Sequence, residues 1–161
     1  MKRTGALGRS ILMAGFDLNR FHDAQAPHYD RVTAELRDGA KRSHWMWFVF
    51  PQIEGLGKSE MAQRYAIHSL GEARAYLADT VLGLRLRECT ALVLATKDRS
   101  VDDIFGYPDN LKFHSCMTLF AHAASEDTVF RDALDKFFGG REDGKTVSRL
   151  EELRHTEGKS G

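Results

Sequence analysis

At 161 residues the chain is long enough to bury a sizeable core and too short for two ordinary domains, so one domain is the default. Apolar residues make up 42% and charged residues 29%, the balance of a soluble globule, which excludes wholesale disorder. Lysine plus arginine equals aspartate plus glutamate at 23 each, so no net field draws the molecule to nucleic acid or to an anionic membrane, and only a local basic patch stays open.

Residues 1–16 carry Lys2, Arg3 and Arg9 around the short apolar run Ile11-Leu12-Met13-Ala14, too short for a signal-peptide core or a membrane span. They read as a flexible lead, followed by a single multihelical domain over 17–154 and a flexible tail over 155–161. Asp17 offers an N-cap oxygen to a first helix ending near Ala26. Pro27 then opens a second, with Tyr29, Val32 and Leu36 on one face and Gly39 at its close. The run Trp45-Met46-Trp47-Phe48-Val49-Phe50-Pro51 is the most apolar in the chain, and its length suits either a strand or a buried helical turn.

After the loop 52–57, the spacing predicts a third helix from Ser59 through Ile67, and Ser69 caps a fourth over 71–77. Thr80 is the expected cap of a fifth, whose stripe is Leu82, Leu86, Cys89 and Val93, and whose end, 91–95, is apolar all round and should enter the core. Pro108 opens a sixth, with a body over 111–124 that is also apolar on more than one face. Ser125, followed by two acidic residues, signals a seventh helix with Val129, Phe130, Leu134, Phe137 and Phe138 as its buried stripe, stopped by Gly139-Gly140. Val147, Leu150 and Leu153 outline a short last helix. The fold class is therefore all-α, a multihelical single domain with two central buried helices, the fifth and sixth. Cys89 and Cys116 both lie in apolar segments and read as reduced, buried thiols, which suits a cytoplasmic compartment.

Gly55-Leu56-Gly57-Lys58-Ser59 is like the end of a phosphate-binding loop, but the full signature needs a glycine where Gln52 stands. Lys58 and Ser59 still open a helix, where an anion is favoured; Ser59 is more simply the cap of that helix. Trp45, Trp47, Phe48 and Phe50 crowd before a polar loop and could stack a flat ring, although core packing is the commoner fate of such a cluster. Lys112 sits on the apolar sixth helix, sharing a face with Ser115. Its charge must meet a carboxylate, with Asp102, Asp103 and Asp109 nearest in sequence, or bind an anion, or snorkel to solvent. The seven histidines show no metal-ligand spacing, and no nucleophile motif of the Gly-x-Ser-x-Gly type occurs, so neither a metal nor a cofactor is expected.

The stretch Trp45 to Gln52, then Gly55-Leu56-Gly57-Lys58-Ser59, Ala62, Tyr65, Ala66-Ile67, Glu72-Ala73 and Tyr76-Leu77 closely resembles an uncharacterised bacterial family, the domain of unknown function numbered 1810, sometimes labelled calpastatin. Matches continue at Leu82-Gly83, Arg85-Leu86, Ile104-Phe105-Gly106, Asp109, Leu111-Lys112 and Ser115 to Phe120, and the resemblance covers about Leu18 to Phe138. It implies a multihelical fold with two central buried helices and makes the 45–50 run helical or irregular. The calpastatin label does not suit a chain with the apolar stripes of a packed globule, because calpastatin proper is a disordered inhibitor. No established activity comes with the family. In size, helical character and aromatic-rich entrance the chain is similar, more distantly, to helical proteins that process ADP-ribose or riboflavin-pathway intermediates by cleaving N-glycosidic bonds.

The matching positions include polar residues that a fold alone does not demand. With Trp45 and Trp47 they make the candidate pocket Trp45, Trp47, Gln52, Lys58, Ser59, Tyr65, Asp109, Lys112 and Ser115. The expected ligand is small, anionic and nucleotide-like, and N-glycosidic hydrolysis is the enzymatic possibility, with Asp109 or Glu60 as the carboxylate. The alternative is a non-catalytic protein-interaction module, in which the same residues are caps and ion pairs. Oligomeric state is not legible in the sequence.

Overall fold

Ten helices run through the residues that the computed structural model describes, 15–160, with side chains from 15 to 156. They are α1 Asn19–Gln25, α2 Tyr29–Arg37, α3 Met46–Val49, α4 Glu60–Arg64, α5 Leu70–Ala78, α6 Leu82–Ala95, α7 Val101–Phe105, α8 Asp109–Ala123, α9 Thr128–Phe138 and α10 Gly144–Ser160. The domain is all-α and multihelical, as the periodicity predicts, and one isolated bridge, Ile53 with Ile67, is its nearest approach to a strand pair among these residues. The expected lead falls outside the described residues up to position 14. None of these helices is long and apolar enough to cross a membrane.

The central pair is α6 and α8, and both pack on α5 and α9. Phe113, Cys116, Met117, Leu119 and Phe120 of α8 are wholly buried, as are Leu82, Cys89 and Val93 of α6. Burying that much apolar surface is the main force holding the helices together. The end of α6 is less buried than its composition suggests: of residues 91–95 only Val93 is buried, because α6 passes its neighbours there and emerges. Both cysteines are free and buried.

Side-chain caps open α4, α5 and α7. The Ser59 hydroxyl accepts from the Ala62 amide at 3.1 Å, and Ser69 accepts from the Glu72 amide at 3.0 Å. Thr80 does not cap α6. Asp79 does, because its Oδ1 takes the Val81 and Leu82 amides at 3.0 and 2.9 Å while its Oδ2 meets His22 Nε2 at 2.9 Å. Ser125 likewise starts no helix: α9 begins at Thr128, and the Asp127 carboxylate pairs with Arg87. Helix α4, the third expected from sequence, stops at Arg64 rather than Ile67, since the Ile67 amide leaves to donate to the Gln52 carbonyl at 2.8 Å. The apolar run resolves as the single helical turn α3. Helix α7, overlooked in sequence, carries a reciprocal cap between Ser100 and Asp103. The last helix is long, and it takes in the stretch from His155 for which a tail is expected.

Two carboxylates work inside this frame. Burial opposes the ionisation of Asp79, but the Leu82 and Val81 amides and His22 outweigh it and hold the carboxyl below its usual range. Burial also opposes Glu35, yet the Ser43 hydroxyl, the Arg42 and Ser43 amides and the Trp45 indole lower its pKa to about 2. Both groups titrate lower when folded than when unfolded. Their stabilisation is therefore full above the unfolded carboxylate values, about 4, and is lost as pH falls toward the folded ones. The urea midpoint should fall steeply between about pH 4 and pH 2, and Asp79→Asn, less stable at neutral pH, should show a shallower fall. A wild-type midpoint that is flat across that range would contradict this account.

Candidate functional site

The segment 50–68 is folded back on itself at one point. Ile53 and Ile67 are buried side by side, the Ile67 amide donates to the Gln52 carbonyl, and the Glu54 amide donates to the Ile67 carbonyl, both at 2.8 Å. The loop between them is held from the other side by α10, where Arg149 donates from Nε to the Glu54 carbonyl and from Nη2 to the Glu54 carboxylate, each at 3.2 Å. Gly55 makes this approach possible: its φ is +94°, and a Cβ there would meet Arg149 Nε at 2.8 Å. Gly57 packs as closely, since its Cβ would lie 2.6 Å from that of Ala62.

Between this loop, α3 and the start of α8 lies a cleft of about 510 Å3. Trp47, Gln52, Lys58, Tyr65 and Lys112 all line it, so five of the nine residues nominated from sequence come together from three separate segments. The Lys112 ammonium stands 5.2 Å from the centre of the Trp47 ring and 3.6 Å from Asp109. Asp109 sits one step behind the cleft, held by Lys41 at 2.8 Å. The Trp47 indole N–H, the Gln52 carboxamide, the Lys58 ammonium and the Tyr65 hydroxyl have no hydrogen-bond partner among the described residues. They are also not sealed from water, so none is a buried unsatisfied group.

Three nominated residues are placed elsewhere. Trp45 is buried, with its indole N–H donated to Glu35 at 2.9 Å, and cannot offer a face to a ligand. Ser59 is spent on the cap of α4. Ser115 is buried against Thr146 of α10, with 2.7 Å between the hydroxyl oxygens. Glu60 is exposed, pairs loosely with Arg64 at 3.8 Å, and is not part of the cleft wall.

Sequence reasoning missed Glu54, Gln63 and His68, which also line the cleft. Glu54 is the carboxylate of the wall, and it is already engaged by Arg149 and, at 3.5 Å, by His68 Nδ1. Local signals for Glu54 existed, in its position between Gln52 and Gly55; Arg149, ninety-five residues on, had none. Glu54 is paired with Arg149, and the cleft faces solvent with Lys58, with Lys112 beside Asp109, and with an array of donors. Among the described residues no group of three His, Cys, Asp or Glu side chains gathers as a metal ion requires.

A family model described as protein of unknown function (DUF1810) matches residues 15–150. Among solved structures, the conserved hypothetical protein Rv1873 from Mycobacterium tuberculosis is 56% identical, with a TM-score of 0.83; the match covers 84% of this chain and 97% of that one. No curated protein matches.

Proposed function

The chain belongs to the family of proteins of unknown function DUF1810, and we propose that its cleft beside Trp47 binds a small anionic, nucleotide-like ligand. The observation that carries this reading is the convergence of Trp47, Gln52, Lys58, Tyr65 and Lys112, from three segments, on one wall, where the first four have no hydrogen-bond partner among the described residues and Lys112 is held by Asp109. Two ammonium groups and a carboxamide suit a phosphate or carboxylate, and the half-buried indole gives an apolar surface for a ring. The wall is less suited to cutting a bond. N-glycosidic hydrolysis needs a carboxylate or an activated water at the anomeric carbon, and Glu54 is tied to Arg149 while Asp109 is tied to Lys41. We therefore assign binding rather than hydrolysis. An interaction module has weaker support: the exposed large apolar side chains among the described residues are Leu84, Tyr107 and Leu111, and three such residues fall short of an interface core.

Intrinsic fluorescence tests the reading directly, because the chain has two tryptophans and only Trp47 reaches the cleft. Titration with AMP should quench part of the emission, Trp47→Phe should abolish that change, and Lys112→Ala should shift the midpoint to about fivefold higher ligand. Emission that ignores every nucleotide tried, or quenching that survives in Trp47→Phe, would remove the ligand from this cleft.

A further inference from the structure

On the far side of the loop 55–58 from the cleft lies a broad, shallow depression of about 700 Å3 against α10. The two hollows are contiguous, since Gly55 and Lys58 line both. The ridge between them is low because positions 55 and 57 carry no side chain, and the loop lies too close to Arg149 and Ala62 to admit one. Lys58 is the charged side chain that rises from this ridge.

The depression beyond it is basic, since Lys58, Lys145 and Arg149 line it with one acidic residue, Glu152. Its acidic residue, Glu152, is held by Arg149 at 2.9 Å, and Arg149 also donates to Glu54 from Nε and Nη2. Lys58, Lys145 and Ser148 are left, with side chains that have no partner among the described residues. Cations therefore run from Lys112, which pairs with Asp109 at the Trp47 end, over Lys58 and down to Lys145, the last two without a partner among the described residues. A single phosphate at Lys58 would leave Lys145 unused; a chain of phosphates would engage both.

We propose that the ligand carries a phosphate chain that crosses the Lys58 ridge and ends at Lys145 and Ser148, which makes the ligand class a nucleoside polyphosphate rather than a mononucleotide. This rests on the reading of the cleft given above and adds the direction and length of the bound molecule.

Calorimetric titration of the full chain with AMP, ADP and ATP, in chelator and without divalent metal, separates the two. Affinity should rise along the series, by about tenfold or more from AMP to ATP. Lys145→Ala should weaken ATP about fivefold and leave AMP within about twofold, whereas Lys58→Ala should weaken both. Lys97→Ala, on an exposed lysine that lines neither hollow, controls for the loss of one positive charge. Affinity that is flat along the series, or equal sensitivity of AMP and ATP to Lys145→Ala, overturns the phosphate-chain proposal while leaving the cleft as a binding site. Failure of all three nucleotides to bind overturns both.

Discussion

Glu35→Ala should cost the fold about 3–5 kcal/mol, one of the two largest losses we expect from any single substitution. The side chain is 6% exposed, and four donors converge on it: the Arg42 and Ser43 amides at 2.8 and 3.1 Å, the Ser43 hydroxyl, and the Trp45 indole at 2.9 Å. Removing the acceptor leaves an indole N–H and a backbone turn without partners where water has little access, and a buried donor left unpaired costs far more than a hydrogen bond contributes. The same donors hold the folded pKa near 2, against 4.5 for an ordinary glutamate, which corresponds to stabilisation on the order of 3 kcal/mol at neutral pH. Glu35→Gln should lose less, about 1–2 kcal/mol, because its oxygen still serves the amides and the indole while its amine can donate to the Ser43 oxygen. Guanidinium denaturation of the two variants measures both. A loss below about 1 kcal/mol in Glu35→Ala would mean that Trp45 and the 42–43 turn find other acceptors. The site depends on this anchor too, since the turn that Glu35 organises leads straight into α3 and Trp47.

What the sequence discloses and what it withholds divide along the range of the interactions. Ser59, Ser69 and the Gly139-Gly140 stop act within a few residues of themselves, so their roles are legible by eye. The buried stripe of α2 is legible for the same reason, but Glu35 lies within it, beside Leu36 and three residues past Val32, and a charge at a core position should itself have pointed to a buried acceptor. Trp45 and Trp47 show the limit of composition. They are two residues apart in the same run, and one is locked to Glu35 in the core while the other faces the cleft, because a helical turn points them to different sides. The cleft wall itself depends on Arg149 reaching Glu54 from α10, and on Ile67 returning to Gln52; neither pairing leaves a local trace. Lys112 was legible as a cation in need of a partner, and it has two, Asp109 and the Trp47 ring.

Gly83→Ala should destabilise the protein by about 2–4 kcal/mol even though alanine is the better helix former. Gly83 lies in the first turn of α6, buried where α6 leaves α5. A Cβ built there falls 2.1 Å from the Leu77 carbonyl oxygen, 2.9 Å from the Leu77 carbonyl carbon and 2.8 Å from Arg87 Nη1. The arginine end can swing aside, at the expense of its bond to the same carbonyl. The carbonyl cannot, because it belongs to the last turn of α5, and relief requires α5 and α6 to move apart against the core they share. The helix-propensity gain of about 1 kcal/mol is thus set against an overpacking cost of about 3 kcal/mol or more. Gly71→Ala is the matched contrast: it is also helical, but its Cβ would meet Phe16 at an ordinary 3.4 Å, so the same exchange should be neutral or stabilise by up to about 1 kcal/mol. Thermal and urea unfolding of the pair should give opposite signs. If Gly83→Ala melts with or above the wild type, then α5 and α6 lie further apart in solution than the Leu77 contact requires, and the close helix crossing is not what selects glycine there.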